Sequence, residues 1–454
     1  MGIKQVKVDV NEITVGMFIS GLDRPWSQTP FPLQGFYVRD LDEIKQLKTH
    51  CNHVYIDVIK GVGPVATTNL KTLKAKPKLN GARGPARAGN RAPVTTPVAP
   101  LKVRPNTYSN QETLKKEVKR ARQLHQKVFR AVGEVMSQLE NGVTSSIQET
   151  KRVASDMVDS VLRNPDAFTW LSRIRETDEH TYGHAVRSAV WAILYGRHIG
   201  LAKKELDTLA IGVLLKDVGK TSLATELLVK LERNTREQAE YETFVEVGVG
   251  ILRQMPGVEP RVIAVVKTHC ERINGSGFPQ HLRGDKIPLL GKIAGIVTYY
   301  DDVTNPRGAS HPISPSKAVA RLYEVRGVEF QEDLVVEFIR AIGLYPTGTL
   351  VELTSGEIGV VVEQNFERRL KPKVMILLDP LKQTMPEPKL LDLAEDDRRK
   401  QSLIDSGRKT LDEIEKIEIA QDLEPGSYDV DIGQVRDDYL FKGDKKGILS
   451  FLKR

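Results

Sequence analysis

The sequence contains no run of 18 or more apolar residues, and its first residues, MGIKQVKVDVNEI, include no apolar stretch of the signal-peptide type. We therefore expect no membrane span and a cytoplasmic protein. Cysteine is also scarce, since Cys51 and Cys270 are the only two in 454 residues. Two cysteines exclude a disulfide framework and a four-thiolate zinc site, which fits a reducing compartment.

Acidic residues are missing from one long stretch. Between Asp57 and Glu112 there are ten Lys and Arg residues and no Asp or Glu, so the rest of the chain has 57 basic residues against 59 acidic ones. The net charge of +8 therefore belongs to this segment. We interpret it as a linker kept solvated by its charges. The alternative for this basic linker is binding to nucleic acid or to an anionic membrane surface, and we expect no nucleic-acid binding elsewhere.

Hydrophobic periodicity predicts a mainly α protein with two small additions. Residues 1–58 combine strand-like alternation in VKVDV and HVYIDV with helical spacing in LDEIKQLKTH, which predicts an N-terminal α/β domain. Residues 59–107 are rich in Pro, Gly, Ala and Thr, so we predict a flexible basic linker. Residues 163–345 show consecutive amphipathic patterns and predict an all-α core. Beyond them we predict a small β module at 346–385, from alternation in GTLVELTSGEIGVVVEQ, and a charged C-terminal tail at 386–454.

Residues 108–162 form a helical segment with a long apolar stripe. Two interpretations of the stripe are open: it packs on its own domain, or it forms the seam of a homodimer. The stripe consists of Leu114, Val118, Ala121, Val128, Val132, Val135 and Leu139.

Three motifs in the helical core carry chemically useful residues. DEHTYGHAVRSAV places His180 and His184 on one helical face, a spacing that suits two imidazoles on one metal ion. LLKDVGK places Asp217 directly after an apolar run, and Lys220 follows it. THCERINGSGFP ends an apolar helix in a tight turn that requires glycine. The first two motifs are also explained by ordinary helix polarity, whereas the third is far more specific.

In this order and spacing the three motifs closely resemble the HD-GYP domain, the bacterial branch of the HD metal-dependent phosphohydrolases. The resemblance runs from about Asp178 to Tyr345 and continues into GLYPTGTLVELTSGEIGVVV. GMFISGLDRPWSQTPFPLQGF resembles the uncharacterised domain that often precedes an HD-GYP core. The resemblance implies an HD-superfamily helical core and hydrolysis of cyclic di-GMP by two or three iron- or manganese-type ions, which neutralise the phosphodiester and activate water.

The ligand positions implied by the resemblance are only partly retained. His184, Asp217 and His269 match family ligands. The remaining positions carry residues that do not fit the family pattern: Lys216, Phe244 and Cys270 in place of histidine, and Thr298 in place of aspartate. The signature turn survives as Gly275, Ser276, Gly277, Phe278 and Pro279, with Phe278 in place of tyrosine and Asn274 in place of aspartate.

These departures predict that no ordered bimetallic cluster forms and that no cofactor is needed. We hypothesise that the Lys216 ammonium takes the space of the missing metal and pairs with Asp217. The alternative is a rebuilt single-metal site in which His180 and the Cys270 thiolate join the three retained ligands. Such a site would hold iron, manganese or zinc and use Asp217 in catalysis.

Lys220 and Arg307 match family residues that hold substrate phosphates, although both could instead form surface ion pairs. The sequence therefore predicts a cyclic di-GMP signalling protein that is catalytically inactive and acts as a nucleotide-responsive regulator or scaffold. Its expected partners are cyclic di-GMP and signalling proteins of the diguanylate-cyclase type, which dock at the Gly275–Pro279 loop in this family. The alternatives are an active or weak cyclic di-GMP phosphodiesterase and a purely structural oligomer.

Overall fold

The computed structural model describes residues 5–24, 29, 31, 36–38, 41–57, 98–143, 146–172, 180–230, 232–306, 312–365, 368–406, 408 and 417–441. The chain divides into two compact units, residues 1–94 and 95–454. Most of the predicted linker, residues 58–97, lies outside the described residues.

The N-terminal unit is a four-stranded antiparallel sheet with one helix. Its elements are β1 (Gln5–Asp9), β2 (Phe18–Leu22), β3 (Phe36–Tyr37), α1 (Leu41–His50) and β4 (His53–Asp57), and the strand order is β1-β4-β2-β3. Val8 lies opposite Val54, and Ile19 lies opposite Ile56; all four side chains are buried. The alternation seen in the sequence therefore separates a buried face from an exposed one, and the small α/β unit is confirmed.

The second unit has a helical core. The helices are α2 (Leu114–Glu140), α3 (Gln148–Arg163), α4 (Pro165–Ser172), α5 (His180–Ile199), α6 (Lys203–Leu214), α7 (Thr225–Val229), α8 (Thr235–Glu242), α9 (Phe244–Gln254), α10 (Pro260–Thr268), α11 (Leu289–Thr304), α12 (Pro315–Glu324) and α13 (Glu332–Ile342). The predicted mainly α fold class is thereby confirmed.

Helix α2 packs on its own domain. Val118, Ala121, Val128 and Val132 of its stripe are fully buried, and the helix contacts α3, α4 and α5. The first interpretation of the stripe therefore describes its packing. The possible homodimer stays a prediction.

The C-terminal sheet is larger than the predicted β module. It contains β5 (Leu350–Leu353), β6 (Ile358–Glu363), β7 (Lys373–Leu378), β8 (Thr384–Asp392) and β9 (Ile419–Asp422), in the antiparallel order β8-β7-β6-β5-β9. The segment predicted as a charged tail thus contributes β9, most of β8 and the helices α14 (Leu393–Asp405) and α15 (Ile432–Phe441). Most of the charges in these elements lie at exposed or half-buried positions, although Asp422 and Asp438 are buried, so composition alone did not reveal the elements.

Two side-chain contacts from the sheet segment reach the helical core. The Trp170 indole of α4 donates to the Val362 carbonyl at 2.8 Å, and the Thr347 hydroxyl donates to the Asp166 carboxylate at 3.3 Å. Asp422 of β9 accepts hydrogen bonds from the Ser314 hydroxyl (3.0 Å) and the Ser316 amide (2.8 Å) at the start of α12. The sheet and the helices therefore share buried polar contacts as well as apolar packing.

Residues 98–107 are hydrogen-bonded to the helical core and do not behave as the predicted linker. The amides of Ala99, Leu101 and Arg104 donate to Asp285 (2.8 Å), Asp333 (2.6 Å) and the Ile199 carbonyl (3.0 Å), respectively. Backbone amides make these bonds, so the low apolar content of the segment gave no sign of them. Separately, none of the helices in the described ranges combines the length and apolarity needed to cross a bilayer.

Candidate functional site

Four parts of the helical core bring together four predicted site residues and Asp301, which was not predicted. Helix α5 contributes His184, the turn after α6 contributes Lys216 and Asp217, the end of α10 contributes His269, and α11 contributes Asp301. All five side chains are buried. The site is therefore an interior cluster of charged and ionisable groups, which requires mutual compensation.

Asp217 is bracketed by two ammonium groups. Lys216, whose side chain is fully buried, donates a hydrogen bond to Oδ2 of Asp217. Nζ of Lys220 lies 2.7 Å from Oδ1. Burial would raise the pKa of Asp217, but the charges of Lys216 and Lys220 outweigh it and hold the pKa well below its usual range. The carboxylate therefore stays ionised with a cation at each oxygen.

His184 is oriented by an acid that the sequence analysis did not single out. Its Nδ1 lies 2.7 Å from Oδ2 of Asp301, and Nε of Arg187 lies 3.1 Å from Oδ1 of the same carboxylate. Burial opposes ionisation of Asp301, but Arg187 and the hydrogen bond with His184 lower its pKa to about 2. Because an ionised carboxylate only accepts, Nδ1 of His184 carries a proton and donates it to Asp301.

Asp301 could have been found from its spacing. It lies three residues after Thr298 on α11, and residues at this spacing share a helical face. The acidic pair Asp301–Asp302 directly follows two tyrosines in an apolar helix, which is an unusual place for charge. The carboxylate nearest Nε2 of His184 belongs to Asp302, at 3.4 Å, and its side chain is 61% exposed.

An aromatic ring fills the position of one expected histidine. Phe244 is buried, and its ring centroid lies 4.9 Å from Nζ of Lys220 and 5.9 Å from the His269 ring. Nδ1 of His269 donates to the Val266 carbonyl at 2.7 Å, since a carbonyl can only accept. Burial and the charge of Lys216 lower the pKa of His269 to about 3, so the imidazole is neutral.

Cys270 and Thr298, at the two remaining substituted positions, offer only weak metal ligands. Burial raises the pKa of the Cys270 thiol to about 12, which keeps it protonated. The Thr298 hydroxyl is buried and has no hydrogen-bond partner within the described ranges. Neither side chain replaces an imidazole or a carboxylate.

The signature turn is rigid because its backbone is held from both sides. Gly275 has φ +79°, and a Cβ at Gly277 would come within 2.3 Å of the Cys270 carbonyl oxygen, so both positions require glycine. The buried Glu271 carboxylate accepts hydrogen bonds from the amides of Gln280 (2.7 Å) and Leu282 (2.9 Å). The exposed tip at Ser276 is thus presented by a fixed loop.

Two predicted site residues cannot be placed. The side chain of His180 and the whole of Arg307 lie outside the described residues. Their assigned roles in metal and phosphate binding stay predictions.

The donor set that is described does not fit a metal cluster. Among the described residues there is no group of three or more His, Cys, Asp or Glu side chains arranged to hold a metal ion. The Lys216 ammonium is bonded to the Asp217 carboxylate, which would be a central metal ligand. This is the pairing that we hypothesised from the sequence. A protonated lysine at this position repels a cation, so we derive no chemistry through a metal here.

Family profiles match three parts of the chain. A domain of unknown function (DUF3391) matches residues 5–150, an HD domain matches residues 171–334, and a KOW domain associated with HD domains matches residues 350–399. This chain carries an HD domain. The matched residues 171–334 include every described member of the cluster around Asp217 and His184.

Curated relatives of the HD domain are phosphodiesterases by name. The chain is 28% identical over 394 residues to cyclic di-GMP phosphodiesterase PA4108 of Pseudomonas aeruginosa, a match that covers 85% of this chain and 88% of the relative. It is 32% identical over 169 residues to 3'3'-cGAMP-specific phosphodiesterase 2 of Vibrio cholerae, covering 36% of this chain and 31% of that protein. Among solved structures, an HDG"Y"P protein from Bdellovibrio bacteriovorus, Bd1817, matches with 15% identity and a TM-score of 0.43 over 74% of this chain and 98% of that one. The chain is homologous to proteins named as cyclic di-GMP phosphodiesterases.

Proposed function

We propose that this chain is a regulatory or scaffold protein of cyclic di-GMP signalling whose HD domain does not hydrolyse phosphodiesters. The single observation that carries the proposal is the buried Lys216 ammonium bonded to Asp217. The names of the curated relatives supply the signalling context.

Phosphodiester hydrolysis in a metal-dependent hydrolase needs a cation that binds and activates water. A lysine ammonium offers charge but no open coordination position. Lys216 and Lys220 are also both engaged with Asp217, so neither is free to meet the developing charge of a reacting phosphate. Phe244 offers no ligand atom at all. The two substitutions, Lys216 and Phe244, together with the engagement of Lys220, support an inactive domain.

The charges around the site support a weak response to nucleotide. Lys216, Lys220 and Arg187 are balanced by Asp217, Asp301 and Asp302. A phosphate must therefore displace a carboxylate from Lys220, or use Arg307, which we propose as a second phosphate contact. We infer that cyclic di-GMP binds weakly as an effector, and that the rigid Gly275–Pro279 loop offers the contact for a diguanylate-cyclase-type partner.

The test combines metal content with turnover on the purified full-length chain. We expect substoichiometric iron, manganese and zinc and no hydrolysis of cyclic di-GMP. The matched variant restores the family ligands with Lys216→His, Phe244→His, Cys270→His and Thr298→Asp together. We expect it to gain bound metal by elemental analysis and hydrolytic activity. Near-stoichiometric metal together with turnover in the unmodified chain would contradict the proposal.

A metal-dependent phosphodiesterase is the second candidate. It is favoured by one observation: Nε2 of His184 has no hydrogen bond within the described residues and lies 3.9 Å from Oδ2 of Asp217. A rebuilt site would add His180, His269 and Cys270 and would prefer zinc or iron. Zinc-dependent hydrolysis that is lost in His184→Ala but kept in Lys220→Ala would establish this candidate over the first.

A further inference from the structure

Residues 98–104 cross the helical core as an extended strap, defined here as Val98 to Arg104. The strap is bound by core side chains that meet its backbone. The Ala99 amide donates to Oδ2 of Asp285 at 2.8 Å, and the Ala99 carbonyl accepts from the Gln331 amide at 2.9 Å. The Leu101 amide donates to Oδ2 of Asp333 at 2.6 Å. Because main-chain groups make these bonds, the groove recognises an extended peptide rather than particular side chains.

One buried lysine organises this groove. Nζ of Lys292, whose side chain is 7% exposed, lies 2.9 Å from Oδ1 of Asp285 and 2.9 Å from Oε1 of Gln331. It thereby fixes the two side chains that bind Ala99. Lys292 belongs to the first turn of α11, and nine residues later the same helix carries Asp301, roughly 13 Å along its axis. A change in the groove therefore alters the contacts of the first turn of α11, the helix that carries Asp301.

The strap also spans the helices that pack around the site. Asp333 lies at the start of α13, which donates no side chain to the site but contacts α5 through the Tyr195 hydroxyl and the Leu334 carbonyl at 2.7 Å. At its other end the strap bonds the last residue of α5 through the Arg104 amide and the Ile199 carbonyl. A Cβ on Gly200 would come within 2.5 Å of the Arg104 carbonyl oxygen, so the strap passes close to this turn. The strap is therefore bonded directly to the end of α5 and the start of α13, and it reaches α11 only through the contacts of Lys292 with Asp285 and Gln331.

The strap lies near the surface, with Val98, Leu101 and Val103 half-buried. None of residues 98–107 is buried, and Ala99, Pro100 and Lys102 are exposed. A few hydrogen bonds offset the entropy of ordering such a segment only narrowly, so docked and released states differ little in free energy. Elements of this low local stability are the ones that take part in switching.

We propose that residues 98–104 are a releasable strap, and that its docking in the groove of Asp285, Gln331 and Asp333 couples the N-terminal part of the chain to helices α5 and α11. A pull or a competing contact on the chain before Val98 releases the strap, and release loosens the helices that hold the His184–Asp301 pair. The occupant of the groove is the chain's own segment. The inference does not depend on whether the HD domain hydrolyses nucleotides.

The test is hydrogen exchange followed by mass spectrometry on the full-length chain, with trypsin cleavage after Lys102 as a second readout. The groove variant is Asp285→Ala with Asp333→Ala, which removes the two side-chain acceptors. The strap variant, Ala99→Pro with Leu101→Pro, removes the two donors and leaves every core side chain unchanged. The matched control is Glu332→Gln, an acid of the same first turn of α13 that pairs with Arg326 and not with the strap.

In both test variants we expect exchange of the Lys102, Val103 and Arg104 amides to rise about tenfold and cleavage after Lys102 to accelerate about fivefold. Exchange in Leu289–Thr304 should also rise, while the β5–β6 hairpin and the control variant stay as in the unmodified chain. If strap exchange is unchanged, the bonds do not hold the segment and the proposal is wrong. If the strap is released but α11 is unaffected, the segment is only a tether and the coupling is overturned. If the groove variant does not fold, the strap variant still tests the proposal.

Discussion

Two buried aspartates of this chain have opposite electrostatic environments. Asp217, in the HD domain site, contacts the ammonium groups of Lys216 and Lys220, and its pKa is held well below the usual range. Asp166, where α4 meets the C-terminal sheet, accepts a neutral hydrogen bond from Thr347, and burial raises its pKa to about 6. The charge of Arg369 lowers the pKa of Asp166 only in part.

The two carboxylates show that burial and ion pairing have separate effects on the pKa. Both carboxylates are removed from water, which disfavours the charged form in each case. Only the one with cations in contact stays fully ionised near neutral pH. The lysines of the HD domain site are therefore what makes a buried charge tolerable there, which is the role that metal ions have in a metal-dependent hydrolase.

The largest expected effect comes from removing one member of the Asp217 pair. Lys216→Met leaves the buried carboxylate with Lys220 alone, and we expect a loss of about 3 kcal/mol in the free energy of unfolding. Urea denaturation followed by circular dichroism measures it. The control replaces all three members, Lys216→Met and Lys220→Met with Asp217→Leu, and should cost less than about 1 kcal/mol because no charge remains unpaired. A single variant as stable as this triple one would show that the pair contributes nothing.

A smaller effect of opposite sign is expected at Asp166. Its folded-state pKa of about 6 exceeds the unfolded value of about 4. The folded protein therefore binds this proton more tightly, and the free energy of unfolding contributed by the group falls as pH rises from about 4 to about 6. Asp166→Asn removes that loss, so we expect a gain of about 2 kcal/mol at pH 7.5 that disappears below about pH 4.

The pH profile of urea denaturation is the measurement for Asp166→Asn. The matched control is Asp156→Asn on α3, where the side chain is exposed and the change should be close to zero at every pH. A destabilised Asp166→Asn protein at pH 7.5 would mean that Asp166 is paired as strongly as Asp217.

The smallest effect is expected at Lys220. Its ammonium is 14% exposed and shares Asp217 with Lys216, so Lys220→Met should cost only about 1 kcal/mol in the free energy of unfolding. The methionine side chain retains contact with the Phe244 ring. Lys204→Met, at an exposed position of α6, serves as the control. A loss as large as that of Lys216→Met would reverse the ranking of the two lysines.

Much of the fold followed from periodicity. The apolar stripe of α2 and the alternation in β5, β6 and β7 are properties of short windows, and these elements form where they were expected. The docking of Ala99 and Leu101 could not be predicted, because it uses backbone amides and acceptors more than 180 residues away. The same holds for β9, which pairs with β5 across more than 60 residues.

The candidate site was predictable where a motif fixed it. The motifs brought His184, Asp217 and His269 to one cluster, and the pairing of Lys216 with Asp217 followed from the cost of an isolated buried charge. Asp301 and Arg187 were missed because their importance depends on a contact between α5 and α11. Asp166 was missed for a similar reason, since nothing in the segment PDAFTWLS shows that the sheet will bury its acid.

The hydrogen bonds from Ser314 and Ser316 to Asp422 have a consequence for folding during synthesis. During synthesis α12 leaves the ribosome well before Asp422, the acceptor at its first turn, because Asp422 lies 108 residues after Ser314. Until β9 has emerged, only water is available to the Ser316 amide in the first turn of α12. The final contacts of α12 therefore form only after the C-terminal sheet has been translated.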